Sequence, residues 1–315
     1  MQLNLNNNPS GPSQQVIDDY TRFFNGEKND DMLKYAYMGE DNNAYYDFIS
    51  KCESYYPYKD EINLIKNNAQ EIANSIGEGV DIYEIGPGSD IIFQQKIAPI
   101  ISRLKNPRSY VAVDTCAEYA MQVASFAAQI FPKLNTGSVS SSILELNRNM
   151  FANGNKKLFI FLGGTLGNFT DENINKIFSV LSNCMNPDDR LLFSVDCNNN
   201  VDEILAAYQN PWAEKFFSMA LHNSPMFFQR KFVNVEFEYA ALWNKFTNSV
   251  EFNFFAKEKL LNHHNYITTK EHFYLGRSKR FKDDEILTFS SSNMFFLMDI
   301  FLLHARMSMF IFKKL

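Results

Sequence analysis

The sequence predicts an α/β fold with a doubly wound sheet, followed by a second structural layer. Three observations predict it: short apolar runs alternate with helical stretches, the runs end at glycine or aspartate, and the pattern changes after Asp196. The run 80–85 ends at a Gly-Pro-Gly turn, and the run 110–113 ends at Asp114. Both runs are typical of buried parallel strands.

The next elements repeat the alternation. Residues 117–131 form an alanine-rich helical stretch that Pro132 ends, and 157–162 is a third clear strand. Residues 170–172, Thr-Asp-Glu, open another helix, because the two acids lie at the positive end of the helix dipole. A fourth strand follows at 190–195. Strand, helix, strand, helix in this order predicts a doubly wound sheet.

The second layer follows Asp196. Long aromatic helices come first, and then polar and aromatic residues alternate at 236–239 and 251–254. Such alternation is typical of antiparallel strands with one solvated face.

Composition places the 315-residue chain among globular proteins, with 45% hydrophobic and 21% charged residues. The net charge of −6 argues against nucleic-acid binding, which needs clustered Lys and Arg. Four cysteines stand apart without a C-x-x-C pair, so neither a disulfide framework nor a zinc site is expected. Residues 1–14 are expected to form a disordered tail, and their sequence has no signal-peptide pattern.

The most apolar stretch, 294–312, is interrupted by Asp299, His304 and Arg306. We expect buried strands there and no membrane span. The adjacent His263 and His264 would point apart on a strand, and the other histidines are isolated, so no metal is expected. A cytoplasmic monomer is the expected state.

Residues that follow the strands form the candidate ligand site, because an open α/β sheet binds ligands beyond the carboxyl ends of its strands. Gly86 and Gly88 allow close approach of the backbone, and Asp114 can accept both hydroxyls of a ribose. Ile91 stands where a dinucleotide fingerprint needs its third glycine, which disfavours an NAD-linked oxidoreductase. S-adenosylmethionine needs no phosphate cradle, and Glu84 is placed to favour its cationic tail. Two alternatives stay open: Glu84 as a structural pair and Asp114 as a helix cap.

The stretch 161–169, Phe-Leu-Gly-Gly-Thr-Leu-Gly-Asn-Phe, is a glycine-rich bend that in this kind of fold faces the methyl group. The amide oxygen of Asn168 can accept an N–H of a methyl acceptor and aim the nitrogen lone pair at the sulfonium carbon. Methyl transfer to nitrogen needs little more, because the leaving group is already activated.

Tyrosines are concentrated in one part of the chain. Of 15 in total, seven lie within residues 35–58. They either pack on the sheet or line a pocket, and both interpretations stay open. The seven are Tyr35, Tyr37, Tyr45, Tyr46, Tyr55, Tyr56 and Tyr58.

From about residue 34 to residue 281, the sequence resembles the histidine-specific S-adenosylmethionine-dependent methyltransferases. Four motifs carry the resemblance: Ser-Tyr-Tyr-Pro at 54–57 with Glu61 beyond, Glu-Ile-Gly-Pro-Gly at 84–88, Tyr-Val-Ala-Val-Asp at 110–114, and the bend at 161–169. The resemblance implies a Rossmann-like class I methyltransferase sheet with a second, α+β substrate-binding domain.

The domain boundaries follow from the same resemblance. Residues 15–59 and 198–281 would form the substrate-binding domain. Residues 60–197 and 282–315 would form the domain that binds S-adenosylmethionine.

Roles of single residues are implied as well. Tyr37, Tyr55, Asn168 and Tyr208 would clamp the acceptor, with Asn168 and Tyr37 closest to the chemistry, because phenols bind carboxylates or amines while their rings face a cation. Phe252 and Ser278 would line the side-chain pocket. The cofactor positions are Glu84, Gly86, Gly88, Asp114, Ser142, Gly163 and Gly164, with Ser142 replacing an Asp-Phe pair of the family at the adenine edge.

Departures from the family bear on the acceptor. A glutamate that contacts the imidazole of histidine is replaced by Gly276, which puts histidine itself in doubt. Arg277 and Lys279 are either solvated strand charges or a sign of an acidic acceptor side chain. A family lysine after the first glycine turn is absent, with Ile91 and Ile92 in its neighbourhood.

The expected function is N-methylation of the α-amine of an amino acid or related small amine. The alternative is a catalytically silent relative that binds a metabolite or a protein through the aromatic second domain.

Overall fold

The computed structural model describes residues 13–28, 30–37, 42–224, 237–256 and 272–315. Within them the chain forms two compact units. The first unit comprises Pro57–Asn198 and Arg280–Leu315, and the second comprises the chain up to Tyr56 and Asn199–Lys279. Most of the expected tail, 1–12, lies outside the described residues, whereas Ser13 already caps the first helix with its side chain.

The strands found in these residues form two sheets. One sheet has seven strands in the order β3-β2-β1-β4-β5-β10-β9, and the other has three in the order β6-β7-β8. Their bounds are β1 Asp81–Ile85, β2 Ser109–Asp114, β3 Asn135–Ser140, β4 Lys157–Phe161, β5 Arg190–Asp196, β6 Phe237–Asn244, β7 Ser249–Ala256, β8 His272–Lys279, β9 Phe295–Leu303 and β10 Met307–Lys314.

The α-helices lie between these strands and before them. Further helical segments include the 3-10 segment Asp30–Ala36 and the π-helical turn Phe93–Ile97. In the described residues, no helix is long and apolar enough to span a membrane. The helix bounds are α1 Gln14–Phe24, α2 Asn42–Lys51, α3 Tyr56–Ile76, α4 Asp90–Ile92, α5 Ala98–Ile101, α6 Ala117–Ile130, α7 Asp171–Cys184, α8 Val201–Tyr208, α9 Pro211–His222 and α10 Asp283–Ser292.

The seven-stranded sheet is doubly wound, as the sequence predicts. Strands β1 to β5 pair in parallel, and β10 runs antiparallel between β5 and β9. The strand order reverses at β1, which lies between β2 and β4. A ligand crevice is expected at such a switch point, beyond the carboxyl ends of the strands.

Apolar side chains cover both faces of this sheet. Tyr110 and Met309 belong to the core on one face, which α3, α5 and α6 complete. Phe159 and Phe310 belong to the core on the other face, which α7 and α10 complete. Because the inner strands β1, β4, β5 and β10 are buried on both sides, their sequences are largely apolar runs.

Four strand predictions and two helix predictions are confirmed, namely β1, β2, β4, β5, α6 and α7. Thr170 caps α7, accepting a hydrogen bond from the amide of Asn173 at 3.1 Å. Strand β3 was not predicted, because its sequence Asn-Thr-Gly-Ser-Val-Ser is polar and pairs only with β2 at the sheet edge.

The expectation of buried strands at 294–312 is correct for β10 and wrong for β9. Strand β10 is buried along most of its length because it lies between two strands. Strand β9 is the other edge of the sheet, and Phe296 and Leu302 are each 57% exposed. Hydrophobicity alone therefore did not separate the edge strand from its neighbour.

The second unit contains the antiparallel sheet of β6, β7 and β8. The predicted alternation is confirmed for β6, where Phe237 is buried and Glu238 exposed. It is wrong for β7, where Phe252 and Asn253 are both buried. The polar Asn253 side chain can be buried because it donates to the Glu251 carbonyl at 3.0 Å and is hydrogen-bonded to His272 Nε2 at 2.7 Å. Helices α1, α8 and α9 and the segment Asp30–Ala36 contact this sheet.

Candidate active site

Glycines form an open edge where β1 and β4 end. Gly86 has φ 69° and Gly164 has φ 66°, a conformation that favours glycine, and a Cβ added at either would meet no heavy atom within 4 Å. The backbone can therefore approach a ligand here, which fits the adenosine and amino-acid tail of S-adenosylmethionine. Gly163 belongs to the same turn, with φ 85°.

Gly88 has a local explanation instead. It has φ 71°, and a Cβ there would lie 2.8 Å from Cδ1 of Ile92. The residue is needed for the turn to pack on the helix that follows. Its expected role in cofactor binding stays a prediction.

Asp114 and Ser142 follow β2 and β3. Asp114 Oδ1 accepts hydrogen bonds from the Cys116 amide at 2.8 Å and from the Thr115 hydroxyl at 3.3 Å, and burial still raises the pKa of this carboxyl. Ser142 Oγ accepts the Leu144 amide at 3.3 Å. Both side chains anchor turns, although the N-cap residue of α6 is Cys116 and not Asp114, and their cofactor roles stay predictions.

Glu84 is a buried residue of β1 with a partner on β2. The Tyr110 hydroxyl donates to its Oε2 at 2.5 Å. Burial raises the pKa of Glu84 to about 8, although the bond from Tyr110 and the charge of Lys96 both oppose the rise. The carboxyl is therefore mostly protonated at neutral pH. This observation favours the structural pair that the sequence left open.

Glu61, on α3, is hydrogen-bonded to the glycine turn that follows β4. Its Oε1 accepts the Gly163 amide at 2.8 Å and also the Ser194 hydroxyl. Its Oε2 is paired with Lys96 Nζ, and the two side chains are only 1% and 3% exposed. The carboxylate thus joins α3, β5 and the turn after β4. In the sequence, Glu61 stands out only as part of a motif.

Lys96 lies close in the chain to Ile91, where this sequence lacks a lysine that the family has. It lies in the π-helical turn Phe93–Ile97, and its Nζ is 4.9 Å from the centroid of the Tyr58 ring as well as paired with Glu61. A buried cation in this position supports the glycine turn. The sequence could not reveal the pair, because the two residues lie on different elements.

Asn168 is the last residue of the 3-10 turn Thr165–Asn168 that follows the two glycines, and it is half-buried. Leu166 and Gly167 beside it are buried. The turn thus fixes the backbone of Asn168 at the carboxyl end of β4.

In the second unit, Tyr208 lies at the centre of the predicted acceptor residues. Its hydroxyl contacts Ser278 Oγ at 3.3 Å, and its ring centroid lies 5.2 Å from that of Phe252 and 5.6 Å from that of Tyr55. Tyr55 is hydrogen-bonded to Tyr208, and burial raises its pKa well above 10. These four predicted residues therefore form one cluster.

Tyr37 lies at an exposed part of the second unit. It is 41% exposed, and its ring packs 4.9 Å from Phe216 and 6.1 Å from Tyr46. Tyr46 and Phe216 were not predicted, although Tyr46 belongs to the tyrosine-rich stretch. In contrast, Tyr35 of that stretch is a core residue whose hydroxyl donates to Asp19 at 2.9 Å.

Gly276 is explained by packing. A Cβ at this position would lie 2.9 Å from Cβ of Leu33 in the segment Asp30–Ala36. The space that a larger side chain would need is occupied by Leu33. The glycine and the leucine therefore depend on each other.

The interpretation of Arg277 and Lys279 as solvated charges is wrong, because they are 8% and 4% exposed. Arg277 is paired in register with Glu251, and Ser278 with Val250. Neighbouring residues of a strand point to opposite faces, so the two cations lie on the face opposite Ser278. This placement gives no support to an acidic acceptor side chain.

The sequence of residues 32–311 matches the family described as histidine-specific methyltransferase, SAM-dependent. The chain belongs to this family. Membership confirms the resemblance drawn from the motifs and S-adenosylmethionine as the cofactor, and with the strand order it confirms the Rossmann-like fold class.

Curated relatives are distant. The chain is 24% identical over 169 residues to a histidine N-alpha-methyltransferase of Mycobacterium tuberculosis, covering 53% of this chain and 51% of the relative. It is 26% identical over 170 residues to an ergothioneine biosynthesis protein 1 of Neurospora crassa, covering 51% and 19%. The matches thus span about half of the bacterial relative.

Solved structures are similar at low identity. A S-adenosylmethionine-dependent methyltransferase of Clostridium acetobutylicum is 12% identical, with a TM-score of 0.45, and the match covers 82% of this chain and 92% of that one.

Within the part of the chain that the structure describes, no three His, Cys, Asp or Glu side chains are grouped to hold a metal ion. His263 and His264 lie outside that part.

Proposed function

We propose that this chain methylates the amine of a small molecule, an amino acid or a related amine, with S-adenosylmethionine as the methyl donor. The first unit would bind the cofactor and the second would bind the acceptor. The observation that carries the proposal is the cluster of Tyr55, Tyr208, Phe252 and Ser278 in the second unit.

Cofactor binding would use the open glycine edge. Gly86, Gly163 and Gly164 would admit the ligand to the backbone, and Asp114 would meet the ribose. Bound S-adenosylmethionine supplies a methyl group on a cationic sulfur, whose C–S bond breaks as the new N–C bond forms. The task left to the protein is to orient the acceptor, exclude water and accommodate a proton.

Tyrosines suit acceptor binding because a phenol bonds a carboxylate or an amine while its ring faces a cation. The raised pKa of Tyr55 keeps its phenol protonated, so it binds as a donor and does not remove a proton from the amine. The acceptor amine must therefore arrive neutral or lose its proton to another group. Asn168 would orient the nitrogen through its amide oxygen.

Histidine is not the acceptor that the pocket favours. Gly276 carries no carboxylate to bond an imidazole, and Leu33 fills the adjoining space. Phe252 makes the cluster aromatic, with Phe217 stacked 4.0 Å away. These features support an acceptor with a flat or apolar side chain.

The test is mass spectrometry of the protein incubated with S-adenosylmethionine and a pool of amino acids and biogenic amines, histidine included. A gain of one or more methyl groups on one component would support the proposal, and a gain on histidine would contradict the interpretation of Gly276. The Tyr208→Phe variant should lower the yield without weakening S-adenosylhomocysteine binding, because Tyr208 belongs to the acceptor cluster.

A silent relative is the second candidate. Glu84 and Asp114, two of the carboxylates expected to meet the cofactor, already have partners within the chain. Calorimetry with S-adenosylhomocysteine separates the candidates. Binding without methyl transfer to the pool would favour the silent relative, whereas binding with transfer would exclude it.

A further inference from the structure

Tyr239, on β6, has a buried hydroxyl that no residue of the described ranges satisfies. Its ring is partly exposed, but the oxygen is buried and has no hydrogen-bond partner among the described residues. Buried hydroxyls nearly always have a partner in proteins, so each exception needs an explanation.

The residue lies on the same sheet face as the candidate acceptor cluster. Tyr239 is in register with Phe254, and Ala241, two residues on, is in register with Phe252. Phe252 is in turn in register with Gly276, two residues from Ser278. Since side chains alternate along a strand, Tyr239, Phe252 and Ser278 point to one side of the sheet.

Phe217 of α9 connects the residues physically. Its ring stacks on that of Tyr239 at 5.4 Å between centroids, and on that of Phe252 at 4.0 Å. Burial raises the pKa of Tyr239 well above 10, and the nearby Tyr208 phenol and Glu214 carboxylate add to the rise. The hydroxyl therefore keeps its proton and can donate a hydrogen bond. Tyr239 is thus a hydrogen-bond donor at the wall of the aromatic cluster.

Packing alone does not call for a hydroxyl at this position. The ring of Tyr239 is surrounded by phenylalanines, with Phe217 at 5.4 Å and Phe254 at 5.8 Å. A phenylalanine would keep both ring contacts and would leave no donor unsatisfied. The unpaired hydroxyl therefore destabilises the free protein, and a bound molecule that accepts its hydrogen bond would offset this loss.

We propose that the Tyr239 hydroxyl donates a hydrogen bond to the side chain of the methyl acceptor. The acceptor then combines a flat or apolar side chain, which fits the rings of Phe217 and Phe252, with an oxygen or nitrogen that accepts this bond. The proposal rests on the proposed function, since it assigns a specificity-determining residue to the same cluster.

The first arm of the test is stability without any acceptor. Tyr239→Phe removes an unpaired hydroxyl, so its melting temperature should equal or exceed that of the wild type. Tyr20→Phe is the matched control in the same unit, because the buried Tyr20 hydroxyl donates to the Ala220 carbonyl at 2.5 Å. The control should melt at a lower temperature.

The second arm is binding. Calorimetry would compare paired probes that differ in an accepting group, L-tyrosine with L-phenylalanine and L-glutamine with L-methionine, on the wild type and both variants. In the pair that binds the wild type, the probe with the accepting group should bind Tyr239→Phe about tenfold more weakly than it binds the wild type. The affinity of the other probe should not change. Tyr20→Phe should leave both affinities unchanged.

Two results would overturn the proposal. One is a loss of melting temperature in Tyr239→Phe comparable to that in Tyr20→Phe, which would show that the hydroxyl is already satisfied in the free protein. The other is equal weakening of both members of a probe pair. If no probe binds the wild type, the proposed function loses support, and the stability arm still decides whether the hydroxyl is unpaired.

Discussion

The carboxylate of Glu61 joins helix α3 to the turn after β4, since its Oε1 accepts a hydrogen bond from the Gly163 amide at 2.8 Å. The other oxygen is paired with Lys96, and both side chains are almost fully buried. Glu61 therefore fixes the position of an exposed glycine in the turn after β4. We expect stability and cofactor affinity to depend on this one side chain.

Glu61→Gln should weaken both properties. Glutamine keeps an acceptor for the Gly163 amide, but it leaves Lys96 as a buried charge without its counter-charge, which costs roughly 3–5 kcal/mol in buried pairs. Urea denaturation would measure the loss of stability, and calorimetry would measure the affinity for S-adenosylhomocysteine. Glu71→Gln, an exposed glutamate of the same helix, is the control.

The double variant Glu61→Gln, Lys96→Met separates charge from geometry. It removes the uncompensated cation, so it should recover part of the stability lost in the single variant. A single variant as stable as the control would contradict the role of the ion pair.

Stability should also depend on pH through Glu84. Its pKa is raised from 4.5 to about 8 in the folded chain, so between these values the folded state binds more protons than the unfolded state. The free energy of unfolding should therefore fall as pH rises through this window, by up to about 1.4 kcal/mol per pH unit for one group.

Glu84→Gln should remove that part of the pH dependence, because glutamine does not ionise. Urea denaturation of both proteins at several pH values between 5 and about 8 would measure the slopes. The difference in stability between variant and wild type should shift in favour of the variant as pH rises. Parallel curves for the two proteins would show that Glu84 does not titrate in this range.

Buried patterns were predictable from the sequence, and long-range pairs were not. Strands β1, β2, β4 and β5 are apolar runs because both of their faces are covered, whereas the polar edge strand β3 left no such signal. The tyrosine-rich stretch indicated a cluster but not which members are core. Glu61 and Gly163 lie 102 residues apart, and nothing local to either residue indicates the other.

The loss of a carboxylate at 276 was visible in the sequence, but its structural reason was not. Leu33 lies far from Gly276 in the chain and close to it in the fold. We expect Gly276→Glu to destabilise the second unit strongly, because the new Cβ would meet Cβ of Leu33 at 2.9 Å and the charge would be placed beside a buried leucine.

Leu33→Gly should partly compensate, because it removes the Cβ that the new side chain would meet. Alone it costs more than the roughly 2–5 kcal/mol of a Leu→Ala change, because it also removes buried apolar volume, but combined with Gly276→Glu it frees the space that the glutamate needs. Urea denaturation of the two single variants and the double variant would give the coupling. Costs that simply add would show that the two positions are independent.

Asn168 is the residue whose replacement should separate binding from turnover. Because its amide is proposed to orient the acceptor nitrogen, Asn168→Ala should lower kcat about 100-fold with the acceptor found in the pooled assay, in line with the loss of one positioned polar group. Affinity for S-adenosylhomocysteine should stay close to that of the wild type, since the open glycines Gly86 and Gly164 remain. Asn147→Ala, an exposed asparagine of the same unit whose side chain makes no cap bond, is the matched control. Equal turnover in the two variants would remove Asn168 from the proposed mechanism, and a parallel loss of cofactor affinity would reassign it to the support of the turn.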